Sequence, residues 1–204
     1  KYRVVIYWNQ LTGVWNWKVD GVLAGSGTTA TSAYEFGQLL VTGNSAYVDN
    51  ISVGATTMTT TKASGFSMYL NTSSAASFTV DWGDESVPEV WNTAANTVTI
   101  THDYADTTSK NIVITGNLEL VTYLDCNNNN LTALDVSTNT ALTTLYCYIN
   151  SLTALDVSTN TALTYLWCYN NNLTALDVST NTALTQLGCN NNNLTALDVS
   201  TNTA

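Results

Sequence analysis

Across residues 117–204 apolar and polar positions recur with a period of 21 residues. The segment Leu131-Thr132-Ala133-Leu134-Asp135-Val136-Ser137-Thr138-Asn139-Thr140-Ala141 returns letter for letter from Leu152, Leu173 and Leu194. A fixed period of this length means that each repeat is one supersecondary unit, unable to bury its apolar side until a neighbour stacks on it. Inside each unit the pattern alternates with period two, the signature of a strand with one face buried. Leu145 and Cys147 are therefore predicted to face inward, with Tyr146 and Tyr148 outward. Leu134 and Val136 are likewise inward, with Asp135 and Ser137 outward. The expected unit carries two short strands on opposite sides joined by Asn-rich turns, and it is too short for a helix. Successive copies would stack as parallel strands about 4.8 Å apart.

Upstream, the alternation is also that of strands. Tyr2 to Trp8, Val14 to Val19, Gly37 to Val41 and Tyr47 to Val53 are four, the second closed by the turn signal Asp20-Gly21. A second group follows: a Thr-rich opening from Ala55 to Lys62, then Phe66-Ser67-Met68-Tyr69-Leu70, Phe78-Thr79-Val80-Asp81-Trp82 and Asn111-Ile112-Val113-Ile114-Thr115. The chain thus reads as all-β in three domains, 1–54, 55–116 and 117–204. Its 204 residues are rich in Thr, Asn, Ala and Leu with a single proline, which suits strands better than helices.

Charge narrows the partners. The net charge of −10 comes from a shortage of bases, and no Lys or Arg follows Lys110. Nucleic acid is therefore not an expected partner, because phosphate binding rests on clustered Lys and Arg. No apolar run is long enough for a membrane helix. Low Lys with abundant Thr and Asn points to an extracellular or cell-surface protein. The sequence starts without Met and ends at Ala204 inside a repeat, so a fragment of a longer protein is expected.

Three resemblances follow from these motifs. The spacing Leu142-x-x-Leu145-x-Cys147-x-x-Asn150-x-Leu152, alternating with Leu152-x-x-Leu155-x-Val157, resembles the leucine-rich repeats of bacterial, Bacteroidetes-type surface proteins, with Cys at the position usually held by Leu. It implies a parallel β-solenoid over 117–204. The turn Asp81-Trp82-Gly83-Asp84 with the later His102-Asp103-Tyr104 is similar to the PKD family, implying an Ig-like β-sandwich over 55–116; Glu85 stands where that family usually has Gly. Finally, Trp15-Asn16-Trp17-Lys18-Val19-Asp20-Gly21 with Val48-Asp49-Asn50-Ile51 resembles the last strands of laminin-G-like or concanavalin-like sandwiches, a partial one over 1–54. That resemblance implies sugar binding, for which Trp8, Trp15 and Trp17 are the stacking candidates; packing in the core is the competing reading.

Candidate chemistry is sparse. Asp81, Asp84, Glu85 and His102 lack a nucleophile or second histidine, so turn capping by Asp84 and packing of His102 near Trp82 is the favoured reading, and no catalytic residue is assigned. Cys126, Cys147, Cys168 and Cys189 fall in one register. A row of parallel Cα–Cβ vectors suits neither a disulfide nor a zinc tetrahedron, so free thiols in the core are expected. The Asn rows Asn129/Asn150/Asn171/Asn192 and Asn139/Asn160/Asn181/Asn202 are expected to adopt tight-turn angles and to satisfy turn backbone groups. The row Asp135, Asp156, Asp177 and Asp198 either hydrogen-bonds locally or collects calcium, an ion that the turn carboxylates Asp81, Asp84 and Glu85 are also able to hold.

Comparison among copies separates scaffold from surface. The Leu-Thr-Ala-Leu-Asp-Val half is invariant, whereas the cysteine half varies at its outward positions. The candidate ligand-binding face is Tyr123, Asp125, Tyr146, Tyr148, Tyr165, Trp167, Tyr169 and Gln186. Aromatic side chains here either bind a partner or stabilise the sheet. The function expected is non-catalytic recognition or adhesion, with a protein or glycan ligand held on this face. The alternative is the accessory glycan-binding portion of a secreted polysaccharide-acting enzyme.

Overall fold

The computed structural model describes residues 54–94 and 97–203 in full, together with the backbone of five strands within 1–53. The chain divides into two compact units, Lys1–Gly54 and Ala55–Ala204. Among the described residues it is all-β, with one 3₁₀ turn at Leu118–Leu120. No helix there is long and apolar enough to cross a membrane.

In the first unit, β1 (Val4–Asn9), β2 (Val14–Val19), β3 (Val22–Gly27), β4 (Leu39–Val41) and β5 (Ala46–Val48) form one sheet in the order β3-β2-β1-β4-β5. Only β1 and β4 run parallel. The sequence pattern misses β3, whose two glycines lower its strand propensity; pairing along β2 holds it extended. Of the expected last strand, Tyr47 and Val48 fall in β5, and residues 49–53 lie outside the described residues. The backbone register sets Trp8 opposite Trp15, but the side chains of Trp8, Trp15 and Trp17 lie outside the described residues.

The second unit begins with β6 (Thr56–Thr60), β7 (Phe66–Thr72), β8 (Ala75–Asp81), β9 (Glu89–Ala94), β10 (Val98–His102) and β11 (Lys110–Gly116). Their alternation is realised as expected: β7 buries Phe66, Met68, Leu70 and Thr72, and β8 buries Ala76, Phe78 and Val80. The repeats contribute β12 (Val121–Asp125), β13 (Leu131–Asp135), β14 (Thr144–Tyr146), β15 (Tyr165–Trp167) and β16 (Gln186–Gly188).

The repeats continue the sheets that precede them. One sheet runs β10-β7-β12-β14-β15-β16 and the other β13-β6-β11-β8-β9. The buried residues of both form one apolar core, from Met58 and Phe66 through Leu124 to Leu184. At the turn into the repeats, Gly116 adopts φ +117°, and a Cβ there would collide with the Ser77 carbonyl, so only glycine fits. The joint itself is polar. Buried Thr56 donates its hydroxyl to Asn139 Oδ1 at 2.6 Å, and buried Thr60 donates to the Asn129 carbonyl at 2.6 Å. Asn129 in turn accepts from the Ser67 N–H and donates to the Ser67 carbonyl. Strands β6 and β7 thus pair directly with β13 and β12 of the first repeat, and the sheets run on without a break.

Two sequence expectations require correction. A strand on the scaffold side forms only in the first copy, as β13; the identical letters from Leu152 and Leu173 lie outside strands. The reason is the partner, since β13 pairs antiparallel with β6 and the later copies have no such strand beside them. The tight-turn angles also fall one residue early. In every copy a left-handed φ falls one position before the Asn row, at Asn128 (+53°), Ile149 (+52°), Asn170 (+54°) and Asn191 (+54°), and in the first copy also one position after it, at Asn130 (+52°). The rows are freed from that role to satisfy backbone groups: Asn150 and Asn171 each donate from Nδ2 to the cysteine carbonyl of their own and of the preceding copy.

Candidate functional site

The outward positions of the cysteine half assemble into three rows, because parallel pairing at a 21-residue step puts like positions side by side. Tyr123, Thr144, Tyr165 and Gln186 are aligned, as are Asp125, Tyr146, Trp167 and Gly188. The third row continues past the strands: the N–H of Asn128, Ile149 and Asn170 donate to the carbonyls of Tyr148, Tyr169 and Asn190. Leu145, Leu166, Cys147 and Cys168 point the other way and are buried.

The rings in these rows stack. Tyr146 lies on Trp167 with centroids 4.5 Å apart and planes 15° apart, and Tyr148 lies on Tyr169 at 4.6 Å and 10°. Tyr123 meets Tyr146 edge to face at 5.5 Å, and the two stacks touch across the strands at 6.3 to 6.5 Å. Each such pair contributes about 0.5–1.5 kcal/mol beyond the area it buries. Stacking also explains why the strip is half-buried rather than fully exposed: each ring covers its neighbour's face, and only Tyr165, outside the ring contacts, is exposed at 37%.

Asp125 stands at the head of the strip. Its carboxylate accepts from the Tyr123 hydroxyl at 3.3 Å and from the side chain and backbone N–H of Asn127. Burial, reinforced by the Asp125 charge, pushes the Tyr123 phenol up to about 12 and raises Tyr148 as well. These tyrosines are neutral donors at physiological pH. Sequence reasoning missed Tyr69, which is 40% exposed and paired opposite Asp125 on β7. Its outward direction was legible from alternation in β7, but its place beside the first repeat is set only by the pairing of β7 with β12.

The other candidates are placed as follows. His102 Nε2 lies 2.8 Å from Asp84 Oδ2, and its ring stacks on Trp82 at 4.4 Å. Tyr104 donates to the Trp82 carbonyl, so this group packs around the buried indole. Asp84 is raised by burial, but hydrogen bonds from Ser86 and His102 outweigh this and hold it at about 2. Asp81 caps the same turn through the Gly83 N–H, and Glu85 in that turn is held at φ +65°.

Asp135, Asp156, Asp177 and Asp198 each accept the N–H two residues on, from Ser137, Ser158, Ser179 and Ser200 at 2.9 Å. Hydrogen bonds from the following serine lower Asp156, Asp177 and Asp198. Among the described residues no three His, Cys, Asp or Glu side chains are placed to share a metal ion. All four cysteines are free, three buried and Cys189 partly so.

No family model and no curated protein matches the chain. Among solved structures it is similar to the functional domain of InlJ from Listeria monocytogenes, which includes a cysteine ladder, at 47% sequence identity and a TM-score of 0.42. The match covers 44% of this chain and 20% of that one, so the chain spans about a fifth of the structure it matches.

Proposed function

We propose that this chain is part of a non-catalytic, extracellular or cell-surface recognition protein. In this reading its repeats form a leucine-rich-repeat solenoid capped by a PKD-like sandwich, and the ligand is held on the aromatic face. One observation carries it: every departure from repetition among the copies is concentrated in the cysteine half, and there the changes assemble a continuous set of five rings, Tyr123, Tyr146, Tyr148, Trp167 and Tyr169. Sheet stability alone would be served equally by an identical residue in each copy, as the scaffold half illustrates. Rigid aromatics give contact area at low entropic cost together with a polar tip, the chemistry of binding hot spots.

The test is binding of the intact chain to arrays of glycans and of extracellular proteins, comparing wild type with the Tyr146→Ala, Trp167→Ala, Tyr169→Ala triple variant. Loss of the wild-type hits with cooperative unfolding retained is expected. Hits that survive in the triple variant would move recognition off this face.

A further inference from the structure

Resting on the reading that the aromatic face binds a ligand, we infer that it contains one stacking subsite for an uncharged pyranose ring, over Trp167 and Tyr169 beside Gly188. A stacked ladder presents ring edges outward and covers its ring faces internally. Tyr146 takes one face of Trp167, and Tyr148 takes one face of Tyr169. The opposite faces look toward the fourth copy, where the aligned positions are Gly188 and Asn190 and the ladder stops. A Cβ at Gly188 would stand 3.3 Å from Trp167 Cδ1, 3.6 Å from its Cγ and 3.5 Å from Tyr169 Cδ1. The two longer distances are ordinary van der Waals contact and the 3.3 Å one is tight enough that Trp167 would shift by a few tenths of an ångström, so the next rung of the ladder begins where glycine supplies no side chain. Within the stacked ladder this is where a ring face, rather than an edge, is left without a covering ring; Tyr165, exposed and outside the ring contacts, has no second ring beside it to form a two-ring platform.

Charge and hydrogen bonding select the ligand. No Lys or Arg lies anywhere in 111–204, so an anionic ring has no counter-charge. A cation over the indole also lacks a nearby partner on these rows: Asp125 is three strands away, about 14 Å at 4.8 Å per strand, and its carboxylate is already bonded to Tyr123 and Asn127. What flanks the Gly188 position are two exposed amide side chains, Gln186 and Asn190. Amides both donate and accept, which suits the hydroxyls around a pyranose, while its C–H face lies on the indole. An aromatic peptide side chain would use the ring face and leave both amides unanswered.

The experiment uses an array of neutral and of sialylated or sulfated oligosaccharides, followed by calorimetric titration of the strongest neutral hit. Gly188→Trp fills the rung with the protein's own ring. It is expected to weaken binding at least tenfold while the melting temperature stays level or rises. Gly188→Ala, which raises the floor of the slot by one methyl and needs no unusual φ, is expected to weaken it several-fold and serves if the larger substitution does not fold. Absence of any neutral glycan binding at millimolar concentration overturns the subsite, as does full affinity in both Gly188 variants. If binding survives in the Gly188 variants but is lost in Tyr146→Ala, the subsite is wrong and the aromatic-face reading stands. If it survives in every one of them and in the triple variant, both are wrong.

Discussion

Replacing Ile149 by asparagine should stabilise the second unit, although it removes an apolar side chain. The aligned positions Asn128, Ile149, Asn170 and Asn191 all sit at φ between +52° and +54°. For a β-branched residue the left-handed region costs about 1–2 kcal/mol, whereas asparagine visits it readily. The new amide would also join the one that runs from Asn191 Nδ2 to Asn170 Oδ1 at 2.6 Å, an exposed bond that adds little. Against this stands the lost burial. Ile149 is 44% exposed, so the loss is a fraction of the roughly 1.5–3 kcal/mol of a fully buried isoleucine, and the asparagine stem covers part of the same surface. The net expectation is a gain of about 1 kcal/mol, or about 2–4 °C in Tm for a unit of this size. Urea unfolding followed by circular dichroism is the assay, read as a rise in midpoint at constant slope. Ile149→Ala is the control, since it loses the burial and keeps a Cβ in the left-handed region. A fall in midpoint for Ile149→Asn comparable to that of Ile149→Ala would refute the argument, by making burial outweigh backbone strain.

Other outcomes can be checked directly. In the native protein a thiol reagent should modify Cys189 first and leave Cys126, Cys147 and Cys168 protected until unfolding; burial raises all of these thiols, Cys168 to about 12. Four reactive thiols after denaturation without reductant are expected, and two would mean a disulfide. Asp84 is depressed to about 2 in the folded chain against about 3.9 when unfolded, so its contribution is full above pH 4 and is lost as pH falls from 4 toward 2; Asp84→Asn should flatten that part of the acid unfolding profile. Thr56→Val should cost about 1–3 kcal/mol, because it leaves Asn139 Oδ1 without its buried donor, as Asn160 and Asn181 Oδ1 already are. Millimolar calcium should leave Tm unchanged, since each Asp of the row is engaged by its own turn.

Much of the site was legible because register in a parallel stack follows from period alone. Once the period of 21 is read, the alignment of Tyr146 with Trp167 and of Tyr148 with Tyr169 is obligatory, and alternation decides that the cysteines go inside. What alternation leaves open is how rings meet: that Tyr123 and Trp167 touch Tyr146 on opposite sides, and that Tyr165 stands apart, depends on rotamers chosen in three dimensions. Tyr69 could not be placed on this face from its own neighbourhood, because its partner Asp125 is far away along the chain.

The sequence by itself determined the all-β class, the stacking step, the inward cysteines and the split between invariant scaffold and variable surface, all of which are local periodicities. Only the tertiary structure decided where strands exist and where the array begins. Leu131-Thr132-Ala133-Leu134-Asp135 is a strand and the same five letters from Leu152 lie outside strands. Identical residues have identical propensities, so the difference is the edge of β6, which offers the first copy backbone partners that later copies lack. The same edge, with Thr56 and Thr60 reaching Asn139 and Asn129, fuses 55–116 to the repeats in one core.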